Sequence, residues 1–535
     1  MIKTKFSLAF LSVVSLIFAT FSVFTVWLMT SRYGCGFVTA MSDGYIHRAE
    51  DFIQSGFINS LVYYNDATWS PLYPMVLAAF SLLFNVDILA ASRYLSLFFA
   101  AMISGCSVFV ITKISKKSLF LISVFALTFN LNPFVAEILC CILSEALFIF
   151  FVMLLFEASD DEMSVNRLFL MSLFSALAIL TRYSGVAIVP AVCLWILFHP
   201  GQKIREKIKK CFFYATFPTV VYILYIVRNY IFTGSMMGPR DRSTTGFFAN
   251  AFSCLKSMAS LFVPYAVEKY FGDSYRVVLY VLVVAATIIV AILLYNWREI
   301  LRTCRLYWGQ SRAFSLSVII IMVYSGFLII TTTITALDAI ATRFVLPIYI
   351  FILVLYVVIC DVILRLWARK RLTVCLFFIC VITSFSLFTY EFWVRASSAI
   401  NQGYGFTSES YFDSDWSLFF KAYRENHEGT VFANDCGYFE LVSVSVRDIP
   451  RKYWFRSSTP TGITRENFAE KVPDFNDSIL VLVDRPYLTS AEYIREYFTL
   501  SELQEICDME LLFESKKDKS VIYRVGKCGE FRGKQ

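Results

Sequence analysis

The sequence predicts an all-α polytopic membrane protein of about 11 spans, followed by a small C-terminal α/β domain outside the membrane. Three observations lead there. Apolar segments recur at roughly the 20-residue length that crosses about 30 Å of hydrocarbon. The chain of 535 residues is 58% hydrophobic, with a mean hydropathy of +0.63. Its composition turns mixed and polar only after Tyr390.

The spans are expected near 7–30, 89–112, 118–132, 139–156, 168–181, 184–198, 211–231, 277–296, 313–332, 344–364 and 372–390. The first follows Met1-Ile2-Lys3-Thr4-Lys5 and looks like a signal peptide, but the run is long and has no clear small-residue cleavage site. It is read as a retained span with its basic end in the cytoplasm. The apolar stretch 71–84 is too short to cross and is expected to lie on the outer face.

Charge tests this arrangement. The net charge of +7 lies in short clusters between spans, which is an orientation signal and speaks against nucleic acid as a partner. The inner loops become 113–117, 157–167, 203–210, 298–312 and 365–371, and four of these five are strongly basic. The outer face then receives 31–88, 232–276, 333–343 and everything after Tyr390. Two domains follow: a membrane domain over 1–390 and an extracytoplasmic domain over 391–535.

In that second domain Val431-Phe432-Ala433, 479–483 and 521–525 read as buried strands, and 491–498 as an amphipathic helix. Of the 14 cysteines, those inside spans, such as Cys140, Cys141 and Cys375, read as small buried hydrophobes. Cys436, Cys507 and Cys528 leave room for one disulfide.

The residues able to do chemistry gather at the outer boundary. The polar island Ser42-Asp43-Gly44-Tyr45-Ile46-His47-Arg48-Ala49-Glu50 follows the first span, and Trp69-Ser70-Pro71-Leu72-Tyr73-Pro74 comes after it. Glu137 and Glu145 flank the start of span four, and Arg182 lies between spans five and six. Arg228 ends span seven, Arg240 and Arg242 sit in the next outer loop, and Asp338 and Arg343 precede span ten.

Acids placed there can act as a general base on a hydroxyl. Arginines there can clamp a phosphate. Each also has a structural reading. The arginines can snorkel or fix topology, Glu145 can be partner to one of them, and Asp43 can cap a helix. His47 stands one turn after Asp43; with no third ligand a hydrogen-bonding role is preferred, and a divalent metal is left open.

These elements resemble the GT-C membrane glycosyltransferases, especially the protein O-mannosyltransferase and lipid A aminoarabinose transferase-like branch. The resemblance rests on Asp43 ahead of 69–74, on Leu143-Ser144-Glu145-Ala146-Leu147-Phe148 and on Leu180-Thr181-Arg182-Tyr183-Ser184-Gly185-Val186. Arg228-Asn229-Tyr230, Gly234 and Arg343-Phe344-Val345-Leu346-Pro347 complete it, over about residues 1–390.

It implies a GT-C-like fold and transfer of a sugar from a polyprenyl-phosphate carrier to a lipid, glycan or protein acceptor. Asp43 would activate the acceptor, and the arginines, with Asp338, His47 and Tyr73, would form the substrate and phosphate site. Two departures stand out: many members have Asp-Glu where this chain has Asp43-Gly44, and Ser70 replaces one proline of a Pro-Pro pair. The competing readings are a transporter or flippase for a lipid-linked saccharide and a non-catalytic scaffold. The one-sided charges and the long first outer loop favour the enzyme over paired half-repeats. The resemblance places it in the cell (inner) membrane, with its active site outside the cytoplasm.

Overall fold

The computed structural model describes residues 8–529 apart from 40–41, 64–66, 113–118, 160–162, 199–201, 239–241, 263–283, 285–286, 289, 336–337, 366–370, 428, 435–437, 440–445, 454–459, 484–496, 516 and 518. Helix α1 (Leu8–Met29) is followed by the first loop with α2 (Asp43–Ser55), α3 (Phe57–Tyr63) and α4 (Leu72–Phe84). Then come α5 (Ile88–Thr112), α6 (Leu119–Asn130), α7 (Pro133–Cys140), α8 (Glu145–Ala158), α9 (Val165–Thr181) and α10 (Ile188–Phe198). Next are α11 (Ile204–Thr233), α12 (Phe247–Ser260), α13 (Trp297–Gln310), α14 (Arg312–Ile334), α15 (Tyr349–Arg365) and α16 (Arg371–Gln402).

Six described helices are long and apolar enough to cross a membrane, or seven if the bent pair α6–α7 counts as one span. Others expected to cross, such as α9 and α10, are apolar but shorter. The expected span 277–296 lies mostly outside the described residues.

Local chemistry explains the breaks. Asn132 caps α7, its side chain accepting from the backbone N–H of Phe134 and Val135, and Pro133 sets the first turn. The pair α6–α7 therefore bends by 53°. Asn85 in the left-handed region (φ 51°) ends α4. Helix α16 continues past the expected boundary at Tyr390 to Gln402, aided by the i,i+4 pair of Glu391 and Arg395.

The outermost helices leave large apolar side chains uncovered, for example Leu16 and Ile17 on α1 and Phe212 on α11. On a multi-span chain such surfaces face lipid. Cys140 and Cys141 are buried as expected, whereas Cys375 is exposed, because it lies on a helix most of whose surface points away from the bundle.

The C-terminal part holds a five-stranded sheet in the order β4-β3-β5-β7-β6, from β3 (Val431–Ala433), β4 (Val446–Asp448), β5 (Ile479–Leu482), β6 (Cys507–Glu514) and β7 (Val521–Cys528). A two-stranded ladder, β1 (Gly403–Tyr404) with β2 (Thr407–Ser408), precedes it. The three expected strands are present. The expected helix 491–498 falls almost wholly outside the described residues.

Alternation sorts the side chains of β3 and β5 between two cores. Val431, Ala433, Ile479 and Val481 join the core that continues into the membrane helices. Phe432, Leu480 and Leu482 join a second core with Phe468, Phe498 and Leu503. Cys507 and Cys528 form a disulfide that ties the start of β6 to the end of β7. Closing a loop of 21 residues in this way stabilises by about 3 kcal/mol.

On the second core, a Thr499/Glu502 capping box opens helix α17 (Leu500–Ile506). Burial opposes the Glu502 charge. Hydrogen bonds from Arg465, the Thr499 N–H and Lys452 outweigh it and hold the carboxyl at about 2, down from 4.5. Stabilisation from a depressed carboxyl is present above its unfolded value and fades as pH falls through the folded one. The parent should therefore lose thermal stability relative to Glu502→Gln between pH 4.5 and about 2. Unfolding temperatures of both, taken at pH 7 and stepwise downward, check this; a gap that does not narrow toward pH 2 refutes it.

Candidate functional site

The helix ends converge at one end of the bundle. Phe37 bridges Cys141, the Tyr45 hydroxyl meets the Ser144 hydroxyl at 2.7 Å, and Arg242 bridges Thr335. The first loop and the α7–α8 turn therefore share one region, which Arg182 between α9 and α10 and Phe344 before α15 join through the contacts below.

Asp43 opens α2, so its backbone sits at the positive end of a helix dipole. Two residues on, Tyr45 is buried. Its Ser144 partner stands at the N-cap of α8, where a serine hydroxyl normally accepts from the backbone N–H of the first turn. Here it makes no such bond. Instead it meets Tyr45 and accepts from Arg182 Nη1 at 3.0 Å. Glu145, the first residue of α8 and only 2% exposed, pairs with Arg182 at 2.7 Å. The helix N-terminus and the guanidinium thus share the work of holding a buried carboxylate.

The Arg182 guanidinium also lies 5.9 Å from the Phe344 ring centroid, and that of Arg343 lies 4.6 Å from the same ring. Arg343 in turn pairs with Asp338 at 2.6 Å. One aromatic ring therefore joins two neutralised arginine–carboxylate pairs.

A second cluster lies beside the first loop. Arg48, fully buried, donates through Nη1 to the Trp69 carbonyl. The Tyr225 hydroxyl donates to the same oxygen at 3.2 Å. The Tyr183 hydroxyl donates to the Ala67 carbonyl. Arg228 donates to the Val62 carbonyl and to Asn229 Oδ1, both at 3.0 Å. Asn229 is buried and donates to the Tyr183 hydroxyl and the Met236 carbonyl.

A third cluster holds Glu137. Arg395 Nη1 donates to its Oε2 at 2.7 Å, Arg395 Nη2 donates to Glu391 at 2.7 Å, and the Tyr404 hydroxyl donates to Glu137 Oε1. Gly405 follows, with φ +60° and its Cα side closed by the Val38 carbonyl. Only glycine fits that approach, and it lets Phe406 N–H donate to Val38 O at 2.9 Å.

The expected residues thus divide. Glu145, Arg182, Arg343 and Asp338 come together, with buried Tyr73 edge-on to Tyr45 at 5.1 Å. Arg228 belongs to the loop cluster and Glu137 to the Arg395 cluster. His47 is exposed, 3.4 Å from Glu50. Arg242 is exposed. Arg240 and the side chain of Asp43 lie outside the described residues. Among the described residues no three His, Cys, Asp or Glu side chains lie close enough to hold a metal ion.

Several participants were not singled out as site residues: Tyr45, Arg48, Trp69, Ser144, Tyr183, Tyr225, Asn229, Phe344 and Arg395. A basic residue inside the island 42–50 was the available signal for Arg48, and the Glu391/Arg395 spacing for Arg395.

No protein-family model and no curated protein matches the sequence. Solved structures do match by fold. The crystal structure of ArnT from Cupriavidus metallidurans bound to undecaprenyl phosphate aligns over 99% of this chain and all of its own, with a TM-score of 0.56 at 10% identity. The Archaeoglobus fulgidus oligosaccharyltransferase, solved with zinc and sulfate, aligns over 96% of this chain and 73% of its own, with a TM-score of 0.52 at 11% identity. The arabinofuranosyltransferase AftD from mycobacteria covers 99% of this chain, which spans only 40% of AftD, with a TM-score of 0.50 at 12% identity. The chain has the GT-C fold.

The buried pair yields a stability prediction. Arg182→Ala strands the Glu145 carboxylate and should cost about 3–5 kcal/mol. Adding Glu145→Gln removes the stranded charge and should recover a large part of that loss. Thermal unfolding of parent, both singles and the double variant checks it; strictly additive losses would show that the two side chains do not depend on each other.

Proposed function

We propose that this chain is a membrane glycosyltransferase. It transfers a sugar from a polyprenyl-phosphate carrier to a lipid, glycan or protein acceptor at the outer face of the cell (inner) membrane. Asp43 is its general base. The observation that carries the reading is the position of Asp43 at the start of α2, within two residues of Tyr45 and hence of the Ser144–Arg182–Glu145 network. An acid, several arginines and a lipid-exposed bundle are what a charged lipid donor requires.

The neighbours support the carrier class. ArnT was solved with undecaprenyl phosphate, and the oligosaccharyltransferase AglB from Archaeoglobus fulgidus with dolichol-phosphate and an inhibitory peptide, at a TM-score of 0.51.

In the proposed reaction Asp43 takes the proton of an acceptor hydroxyl as its oxygen bonds to the anomeric carbon of the donor. The bond from that carbon to the carrier phosphate breaks, and the polyprenyl phosphate leaves with inversion. Arg182 or Arg228 stabilises the departing phosphate by charge-assisted hydrogen bonds. Arg240, Arg242 and Arg343, with Asp338, His47 and Tyr73, complete the substrate site.

The outer-face assignment, with about 11 crossings, rests on the basic inner loops. It gains support from the Cys507–Cys528 disulfide, because such bonds persist in oxidising compartments. Cysteines placed at Ser243 and Lys207 in a cysteine-free background test the sidedness. An impermeant reagent applied from outside should label position 243 and spare 207, and the opposite pattern would overturn the assignment.

A positioned general base contributes about 10²–10⁴-fold. Asparagine keeps the size of Asp43 but cannot take the proton. Asp43→Asn should therefore fold like the parent while transfer from polyprenyl-phosphate sugars drops by at least about 10². Near-parental turnover by the pure variant would move the base assignment to Glu137 or Glu145.

A further inference from the structure

We infer that the indole of Trp69 is a stacking platform for a saccharide ring beside Asp43, an inference that rests on the glycosyltransferase reading above. Gly44 follows Asp43 directly. A Cβ at position 44 would run into Nε1, Cε2 and Cδ1 of the Trp69 indole. The indole therefore fills the space that a side chain at 44 would need, against the backbone of the residue next to Asp43. The indole in this position and any side chain at 44 exclude each other.

The main chain at Trp69 is pinned, and its ring packs on a buried neighbour. The Trp69 carbonyl accepts from Arg48 and Tyr225, and its ring centroid lies 4.8 Å from that of buried Tyr45. Yet Trp69 itself is only half-buried, while its neighbours Tyr45, Arg48 and Tyr73 are buried. The result is a half-buried aromatic surface, packed against the apolar core at the start of α2, with the exposed His47 one turn along.

Such a surface offers contact area with little conformational freedom to lose. A sugar ring presents a face of C–H groups that packs on an aromatic plane while its hydroxyls stay directed at polar neighbours. Donor and acceptor can both present such a ring, and kinetics separates them.

The test uses full-length protein in detergent with short-chain polyprenyl-phosphate pentoses and hexoses as probes. Saturation-transfer NMR reads which sugar protons touch the protein. In the parent, ring C–H protons should be saturated. Trp69→Leu should weaken sugar binding by about three- to tenfold, and Trp69→Phe by less.

Gly44→Ala should reproduce the loss by displacing the indole, and should add nothing in the Trp69→Leu background. A raised KM for donor assigns the ring to the transferred sugar, and a raised KM for acceptor assigns it to the acceptor. Transfer by the parent with unchanged ring-proton saturation and KM in Trp69→Leu overturns the platform alone. No sugar contact and no transfer by the parent overturns the glycosyltransferase reading and the platform with it.

Discussion

The site end of this bundle depends on one buried ion pair. Glu145 is an acid at the first turn of an apolar helix, and a carboxylate there is tolerated only with compensation. Arg182 supplies it at 2.7 Å, and the α8 N-terminus adds its partial positive charge. Both belong to turns between apolar helices, so the pair fixes the α7–α8 turn against the α9–α10 turn. Ser144 then extends the pair to Tyr45, and so to the loop that carries Asp43. Position in the first loop is thereby set by chemistry in the bundle.

The same logic recurs twice. Arg343 and Asp338 fix the segment before α15, and Phe344 links them to Arg182. Arg395 gathers Glu137 and Glu391, which locks the end of α16 onto α7. Arg182 and Arg395 span segments remote in sequence, whereas Arg343 and Asp338 are neighbours five residues apart. In water such pairs would be worth little; where water is scarce, breaking one leaves a charge stranded, so the cost of separation is high even if the net gain of forming it is small.

Much of this was legible in the sequence. The apolar helices, and the strands at 431–433, 479–483 and 521–525, depend on local composition, which one sequence displays directly. The pairing of Glu145 with an arginine was foreseeable because a buried acid needs a cation, though its choice of Arg182 over Arg228 or Arg343 needed the fold. Arg395 escaped notice because it lies beyond Tyr390, where the chain was read as having left the membrane domain; the helix in fact continues to Gln402. The Gly44–Trp69 contact was illegible for a different reason. A glycine next to an acid reads as helix-start chemistry, and nothing local shows that a side chain 25 positions away occupies its space.

The C-terminal part is joined to the site by packing as well as by chain. Phe37 stacks on Tyr404 at 4.8 Å, and Tyr404 donates to Glu137. Phe406 N–H reaches Val38 across the glycine at 405. One face of the sheet feeds the same apolar core as the membrane helices, through Trp416, Phe420 and Val431. The contacts to residues 37–38, only a few positions before Asp43, come from the β1–β2 ladder and the turn between its strands. Close-packed contacts of this kind leave little slack, so the ladder and the first loop are held against each other.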